Sequence, residues 1–281
     1  MIAITSKQHA AKLAIVAAFA LGSTLAYGQT RKDFRFTLRT RGSVSITNPY
    51  GLVSLKSTIG NQVIVAVFTH SDKVEVYHDQ SGNRVELRSQ LLPGADQDSG
   101  IVEYQVLIPA TTTVVLHGTT GPLQAEKLRG DVMIEGVSAP VEIHDISDVH
   151  VHVKSLNGPV TLTNVRDGHV EITSVSGDIT LNSVTGPLVQ VNSSTGKIHY
   201  EGDFGSGGEY SLSSHSGNID AAAPAQAPMT LDARSVKGSV DSDFALNEKR
   251  PAREGNSFLS KAWSVVKLST ITGKIKVRKL H

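Results

Sequence analysis

The sequence has no cysteine, few aromatic residues and no surplus of charge of either sign. The missing cysteine excludes disulfides, the usual staple of small exported domains. It also excludes lipidation at a processed N-terminal cysteine. Stability therefore rests on apolar burial and backbone hydrogen bonding. Aromatics make up 5% of the chain against 39% hydrophobic residues in all. That balance, with abundant Val, Ile, Thr, Ser and Gly, fits a β-rich body with narrow layers and many turns. The formal net charge is +1, with 19% charged residues, which gives no electrostatic case for nucleic acid or a membrane surface as partner.

Only one long apolar run is present, Leu13 to Leu25. Lys7 and Lys12 precede it, and Ala26-Tyr27-Gly28 follows before Gln29. This is the pattern of a secretory signal peptide over residues 1–28. The run is 13 residues long, short of the roughly 20 that span a bilayer, so an uncleaved anchor is the lesser alternative. Without residues 1–28 the chain loses two lysines and no acids, and its formal charge becomes −1. The expected mature protein has no transmembrane segment and resides in the periplasm, outside the cell or at its surface.

The organising feature is a repeat of nineteen. Val132, Val151, Val170 and Val189 form one column at that spacing, and Ile134, Val153, Ile172 and Val191 a second. Val141, Val160, Ile179 and Ile198 form a third, Val137, Leu156 and Val175 a fourth, and Ile146, Val165 and Val184 a fifth. An apolar β-former returning to one slot every nineteen residues signifies stacked coils, one strand spacing apart. Each coil holds two half-units of the type Gly158-Pro159-Val160-Thr161-Leu162-Thr163-Asn164-Val165. Alternation sends Val170 and Ile172 inward, and His169 and Glu171 outward. Glycine opening each half-unit is expected for a sharp turn at positive φ. Later coils lengthen to twenty-one, from Gly196 to Gly217 to Gly238. The fold expected is all-β: a flattened β-solenoid of about 19–21 residues per coil over 121–281, with an irregular insertion at 245–262 that partly caps the last coil.

Residues 29–120 carry strand signals at irregular spacing: 33–40, 42–47, 51–56, 62–69, 73–78, 84–89, 101–108 and 113–117. Val74-Glu75-Val76-Tyr77 and Val85-Glu86-Leu87-Arg88 alternate with one polar face, and Asp79-Gln80-Ser81-Gly82-Asn83 between them has hairpin-loop composition. Residues 92–100 form a longer loop. This region is expected to be an antiparallel sheet.

Ser176-Gly177-Asp178-Ile179, Thr195-Gly196-Lys197-Ile198, Ser216-Gly217-Asn218-Ile219 and Thr272-Gly273-Lys274-Ile275 repeat one signature, and Val106-Leu107-Ile108-Pro109-Ala110 followed by Thr119-Thr120-Gly121 leads into it. With the exported N-terminus, these features resemble a bacterial β-strand-repeat family grouped as putative adhesins, over roughly residues 33–281. The resemblance implies a β-solenoid in the envelope or outside the cell with an inferred adhesive role. It implies no catalytic residues. The chain departs from the family pattern at 245–262.

Few residue clusters suggest chemistry. His150 and His169 share one outward row, and His152 and Glu171 the next. Two histidines and a carboxylate in one patch could bind Zn²⁺ or Cu²⁺, although a solvated sheet face explains the same residues. The row Pro159, Asp178, Lys197, Asn218, Ser239 is either a binding strip or a solubilising face. Ser155, Ser174 and Ser193, with Lys154, Thr173 and Asn192 beside them, suit hydroxyls that bond to turn backbone. Lys274, Lys276, Arg278 and Lys279, with basic residues at 249–253, could contact anionic envelope polymers; their alternation with Ile275 and Val277 also suits the solvent face of an edge strand. The acids Asp131, Glu135, Glu142, Glu171 and Asp178 never fall one coil apart in one row, so no carboxylate pair for glycoside chemistry emerges. No nucleophile elbow, zinc-protease motif or P-loop is present. The expectation is a non-enzymatic binding or structural module of the cell envelope, without cofactor, whose partner is an envelope polymer, glycan or protein. The alternatives are a carbohydrate-active enzyme on a β-helix scaffold (a polysaccharide lyase or glycosidase) and a metal-binding envelope-stress component.

Overall fold

The structure is a computed structural model that describes residues 29–246 and 263–280. The expected signal peptide and most of the expected insertion lie outside the described residues.

Period-two alternation of small β-formers yields strands throughout. The first part of the chain gives β1 (Thr30–Thr37), β2 (Ser43–Tyr50), β3 (Val53–Thr58), β4 (Gln62–Thr69), β5 (Val74–Ser81), β6 (Arg84–Leu91), β7 (Val102–Pro109) and β8 (Thr113–Thr120), with a short 3-10 turn at Asp98–Gly100. The repeat gives β9 (Leu123–Glu126), β10 (Val132–Gly136), β11 (Val141–Ser147), β12 (His150–Ser155), β13 (Val160–Arg166), β14 (His169–Ser174), β15 (Ile179–Val184), β16 (Leu188–Ser193) and β17 (Ile198–Glu201). It continues with β18 (Glu209–Ser214), β19 (Ile219–Pro224), β20 (Met229–Ser235) and β21 (Val240–Ser242), and then β22 (Ser264–Thr270) and β23 (Ile275–Leu280).

Two sheets of twelve and eleven strands face each other. The twelve-stranded sheet runs β1-β4-β7-β3-β9-β11-β13-β15-β17-β19-β23-β21, and the other runs β20-β22-β18-β16-β14-β12-β10-β8-β2-β6-β5. The pairs β1–β4, β4–β7 and β5–β6 are antiparallel. Parallel stacking reaches back to Ser43, because β2 pairs with β6 and β8, and β3 with β7 and β9. At the starting end, Phe34 and Phe36 of β1 meet the His78 ring of β5 across the gap between the sheets, with ring centroids 4.2 and 6.0 Å apart.

The columns of nineteen are real register. Val132, Val151, Val170 and Val189 pair in sequence and are buried, as are the columns through Ile134, Val141 and Ile146. The fourth column behaves differently. Val137, Leu156 and Val175 stack, but they are 42%, 45% and 44% exposed. Alternation gives the reason: Ile134 points in, Glu135 out and Gly136 in, so the next position must point out. The buried positions before Leu156 and Val175 are Ser155 and Ser174, whose hydroxyls donate to the carbonyls of Gly158 (2.6 Å) and Gly177 (3.0 Å). Ser193 does the same to Gly196 (3.1 Å).

The opening glycines serve a different need from the one expected. Gly158, Gly177, Gly196, Gly217 and Gly273 do not take positive φ. A Cβ on Gly177 would instead stand 2.0 Å from the carbonyl oxygen of Gly158 in the coil beneath. Positive φ falls at the far corner, where Lys127, Asp145, Asn164 and Ser183 form a column with φ of 58°, 55°, 58° and 53°. Asn and Asp tolerate that conformation better than most side chains.

Chain order and spatial order part at the C-terminal end. The spacing from Gly217 to Gly238 suggests that those two coils stack. Instead β22 and β23 insert between them, so that Tyr210 pairs with Val266 and Leu231 also pairs with Val266, from the other side. Strand β23 lies between β19 and β21. Lys274 and Lys276 are therefore not on an edge strand, because a strand from earlier in the chain covers that side.

Candidate functional site

The inward positions are filled by side chains, so chemistry is confined to the outer faces and corners. One concavity is a groove along the corner that carries the exposed aliphatic column. It encloses about 510 Å³ and is bounded by residues of β2, β8, β10, β12 and β14 and the turns after them. These are five consecutive strands of the eleven-stranded sheet, which at about 4.8 Å per strand gives a length of roughly 19 Å.

Its floor is apolar, made by Pro49, Val137, Leu156 and Val175. Its wall is the adjacent outward row, His117, Glu135, Lys154 and Thr173. Glu135 joins two neighbours there, with His117 Nδ1 at 3.3 Å on one side and Lys154 Nζ at 3.4 Å on the other. All three side chains are well hydrated, so these contacts position the wall and add little stability. An aliphatic floor beside a row of donors and acceptors can hold an amphipathic chain lying along the stack.

The four residues considered for a metal fall into two cross-strand pairs. His150 lies beside His169 with ring centroids 4.9 Å apart, edge to face. His152 Nδ1 is 3.2 Å from Glu171 Oε2. His150 also faces Asp131 at 3.3 Å. Among the described residues, no three histidine, cysteine or carboxylate groups converge as a set to hold a metal ion.

Asp131, Glu135, Glu142, Glu171 and Asp178 each have a partner one coil away. Asp131 faces His150, Glu135 faces His117 and Lys154, and Glu171 faces His152. Glu142 accepts from Gln124 Nε2 at 2.9 Å, and Asp178 from the Lys197 amide at 2.8 Å. These carboxylates are rungs of ladders, separated from one another.

The sequence profile of the Toastrack DUF4097 family matches residues 95–278. The chain belongs to that family. Among solved structures, a putative adhesin from Bacteroides fragilis is similar, at 11% identity and a TM-score of 0.38, over 89% of this chain and 97% of that one. A putative cell adhesion protein from Clostridium sporogenes shows 11% identity and a TM-score of 0.30 over 89% and 100% of the two chains. A putative adhesin from Parabacteroides distasonis shows 9% identity and a TM-score of 0.38 over 89% and 97%. No curated protein matches the chain. As in the rest of this Toastrack body, the groove is built on strands, and no helix among the described residues is long and apolar enough to cross a membrane.

The wall of the groove was open to sequence reasoning, since Glu135 and Lys154 are nineteen apart. The floor was missed. Counting parity from Ile134 would have turned Val137, Leu156 and Val175 outward and exposed a contiguous aliphatic strip. Pro49 had no such signal, because its coil stands outside the repeat spacing.

Proposed function

We propose that this protein is an exported, non-enzymatic binding module of the bacterial cell envelope, and that an extended partner, a glycan or protein strand of the envelope, lies along the corner groove. One observation carries the reading. Val137, Leu156 and Val175 stand consecutively in a corner column, each half exposed, over a hydrated charged row. Large side chains left half exposed in a contiguous row favour a partner that covers them. The leader-like N-terminus supports export. The separation of the outward carboxylates supports binding without turnover.

The test is a glycan array and an array of envelope peptides, probed with the wild-type chain and with Leu156→Asp, while hydrolysis products are monitored. Binding that is lost in Leu156→Asp, without turnover, is the expected result. Product release would favour the carbohydrate-active enzyme instead. Binding that survives Leu156→Asp unchanged would remove the groove from the account.

A further inference from the structure

The insertion of the last coil brings distant basic residues together. On the outer face of the twelve-stranded sheet, Lys197, Asn218 and Lys274 follow one another up a single row. The Ile198 amide donates to the Asn218 carbonyl at 2.9 Å, and the Ile219 amide to the Lys274 carbonyl at 2.9 Å. The neighbouring row is His199, Asp220 and Lys276. Together they line a concavity of about 480 Å³. The sequence places Lys197 and Lys274 far apart, and only the displacement of β21 by β23 sets them two strand spacings from each other, about 10 Å.

Two of the acids nearby, Asp220 and Asp178, are engaged, while Asp241 of β21 stands beside Lys276 in the same row without an ion pair among the described residues. Asp220 is held bidentately by Arg278 at 2.8 and 2.7 Å, which also raises the guanidinium pKa. The Asp178 carboxylate accepts the Lys197 amide, and the Asn218 side chain accepts the Lys274 amide at 2.8 Å. The nearest partner of His199 is Glu201, at 3.7 Å. Among the described residues, Lys197, Lys274 and Lys276 make no ion pair, although the twelve ion pairs found there all join residues in, or next to the ends of, the same or neighbouring strands, the spacing at which a lysine in this row could also find an acid. Three ammonium groups outside any ion pair line a hollow whose single lining carboxylate is held by Arg278.

We propose that this hollow is a binding site for a phosphate-bearing polymer. Ammonium groups act toward phosphate as point charges. Their separation over two strand spacings asks for a ligand with several anionic groups along a chain, since one phosphate cannot reach both ends. The site lies on the opposite sheet from the corner groove, and it does not rest on the groove's proposed role.

The experiment is calorimetric titration of the full chain with sodium polyphosphate, and with orthophosphate, at several salt concentrations. Polyphosphate should bind and orthophosphate should bind far more weakly. The variant K197Q/K274Q/K276Q, with its melting temperature checked against wild type, should lose at least tenfold in affinity. Its slope of log affinity against log salt should shrink by about two, from three contacts at roughly 0.7 each. The control R31Q/K32Q/R35Q, which removes three cations from β1 at the other end of the same sheet, should bind as wild type. L156D should also bind as wild type, which separates this site from the groove. Equal loss in either control, no loss in the lysine variant, or orthophosphate binding as tight as the polymer would each overturn the proposal. Tighter binding of heparin than of polyphosphate would overturn the assignment to phosphate.

Discussion

Gly273 lies directly over Gly217, and a Cβ on Gly273 would stand 2.1 Å from the Gly217 carbonyl oxygen. The same approach recurs at Gly177 over Gly158 (2.0 Å), Gly196 over Gly177 (2.1 Å) and Gly238 over Gly273 (1.9 Å). The glycine column marks where backbone crosses backbone between coils. It is a steric requirement, set by the strand spacing and independent of φ.

Gly177→Ala should therefore cost about 1–3 kcal/mol, the usual range for forcing an atom into packed space. Gly168→Ala should cost less, because its Cβ would meet the Val149 carbonyl oxygen at 3.3 Å. Thermal denaturation followed by circular dichroism ranks the two. A smaller drop for Gly177→Ala than for Gly168→Ala would contradict the stacking account.

At the far corner the requirement is conformational. Asn164 sits at φ 58° and its amide reaches Asp145 Oδ1 in the coil below. Asn164→Val should lose about 1–2 kcal/mol, the cost of the left-handed region for a residue with a branched side chain. Asn164→Gly should lose less, since glycine takes that conformation freely. Chemical denaturation midpoints would distinguish them, and equal losses would show that the side-chain bond to Asp145 outweighs the backbone term.

Much of this was legible in one dimension. Strict recurrence at nineteen put Val132, Val151, Val170 and Val189 in one register, and the serines in a backbone-bonding ladder. Recurrence reports position and not facing, so spacing alone does not separate the outward column of Leu156 from the inward ones. Spacing also assumes that successive coils stack. The interval of twenty-one from Gly217 to Gly238 satisfied that assumption, while Ile275 stands between Ile219 and Val240. A segment that returns to an occupied stack leaves no mark in periodicity. The same blindness hid the proximity of Lys197 to Lys274.

Tyr104 is fully buried, and its hydroxyl has no hydrogen-bond partner among the described residues. Ser89 stands nearby but donates to Asn48 Oδ1, and Asn48 Nδ2 donates to the carbonyls of Gly51 (3.1 Å) and Val102 (2.8 Å). Tyr104→Phe should leave stability unchanged or raise it, because it removes an unpaired polar atom. Asn48→Ala should cost about 1–3 kcal/mol by stripping partners from buried groups. A loss in Tyr104→Phe as large as that in Asn48→Ala would assign the hydroxyl a partner after all.

Alkaline pH should unfold the protein. Burial pushes the Tyr210 phenol up to about 12 and holds Tyr104 and Tyr200 higher still. A raised folded-state pKa means that the stability is whole below the unfolded value near 10 and falls as pH rises beyond it. Melting temperatures measured from about pH 9 upward should decline once pH passes 10. Tyr200→Phe should soften the decline, although it also deletes the bonds from its hydroxyl to the carbonyls of Val184 and Asp203. A melting temperature that stays flat across this range would sink the prediction.

The intercalated last coil has a consequence for biosynthesis. A chain that emerges N-terminus first exposes β20 and β21 before β22 and β23 exist, at a moment when the top of β18 and β19 is bare. The interval of twenty-one offers those strands a temporary seat there, with Gly238 on Gly217. Maturation then requires that seat to be vacated for the tail, or never taken. Folding of this region is thus a competition between two pairs of strands for one ledge, decided once Ser264–Leu280 has been made.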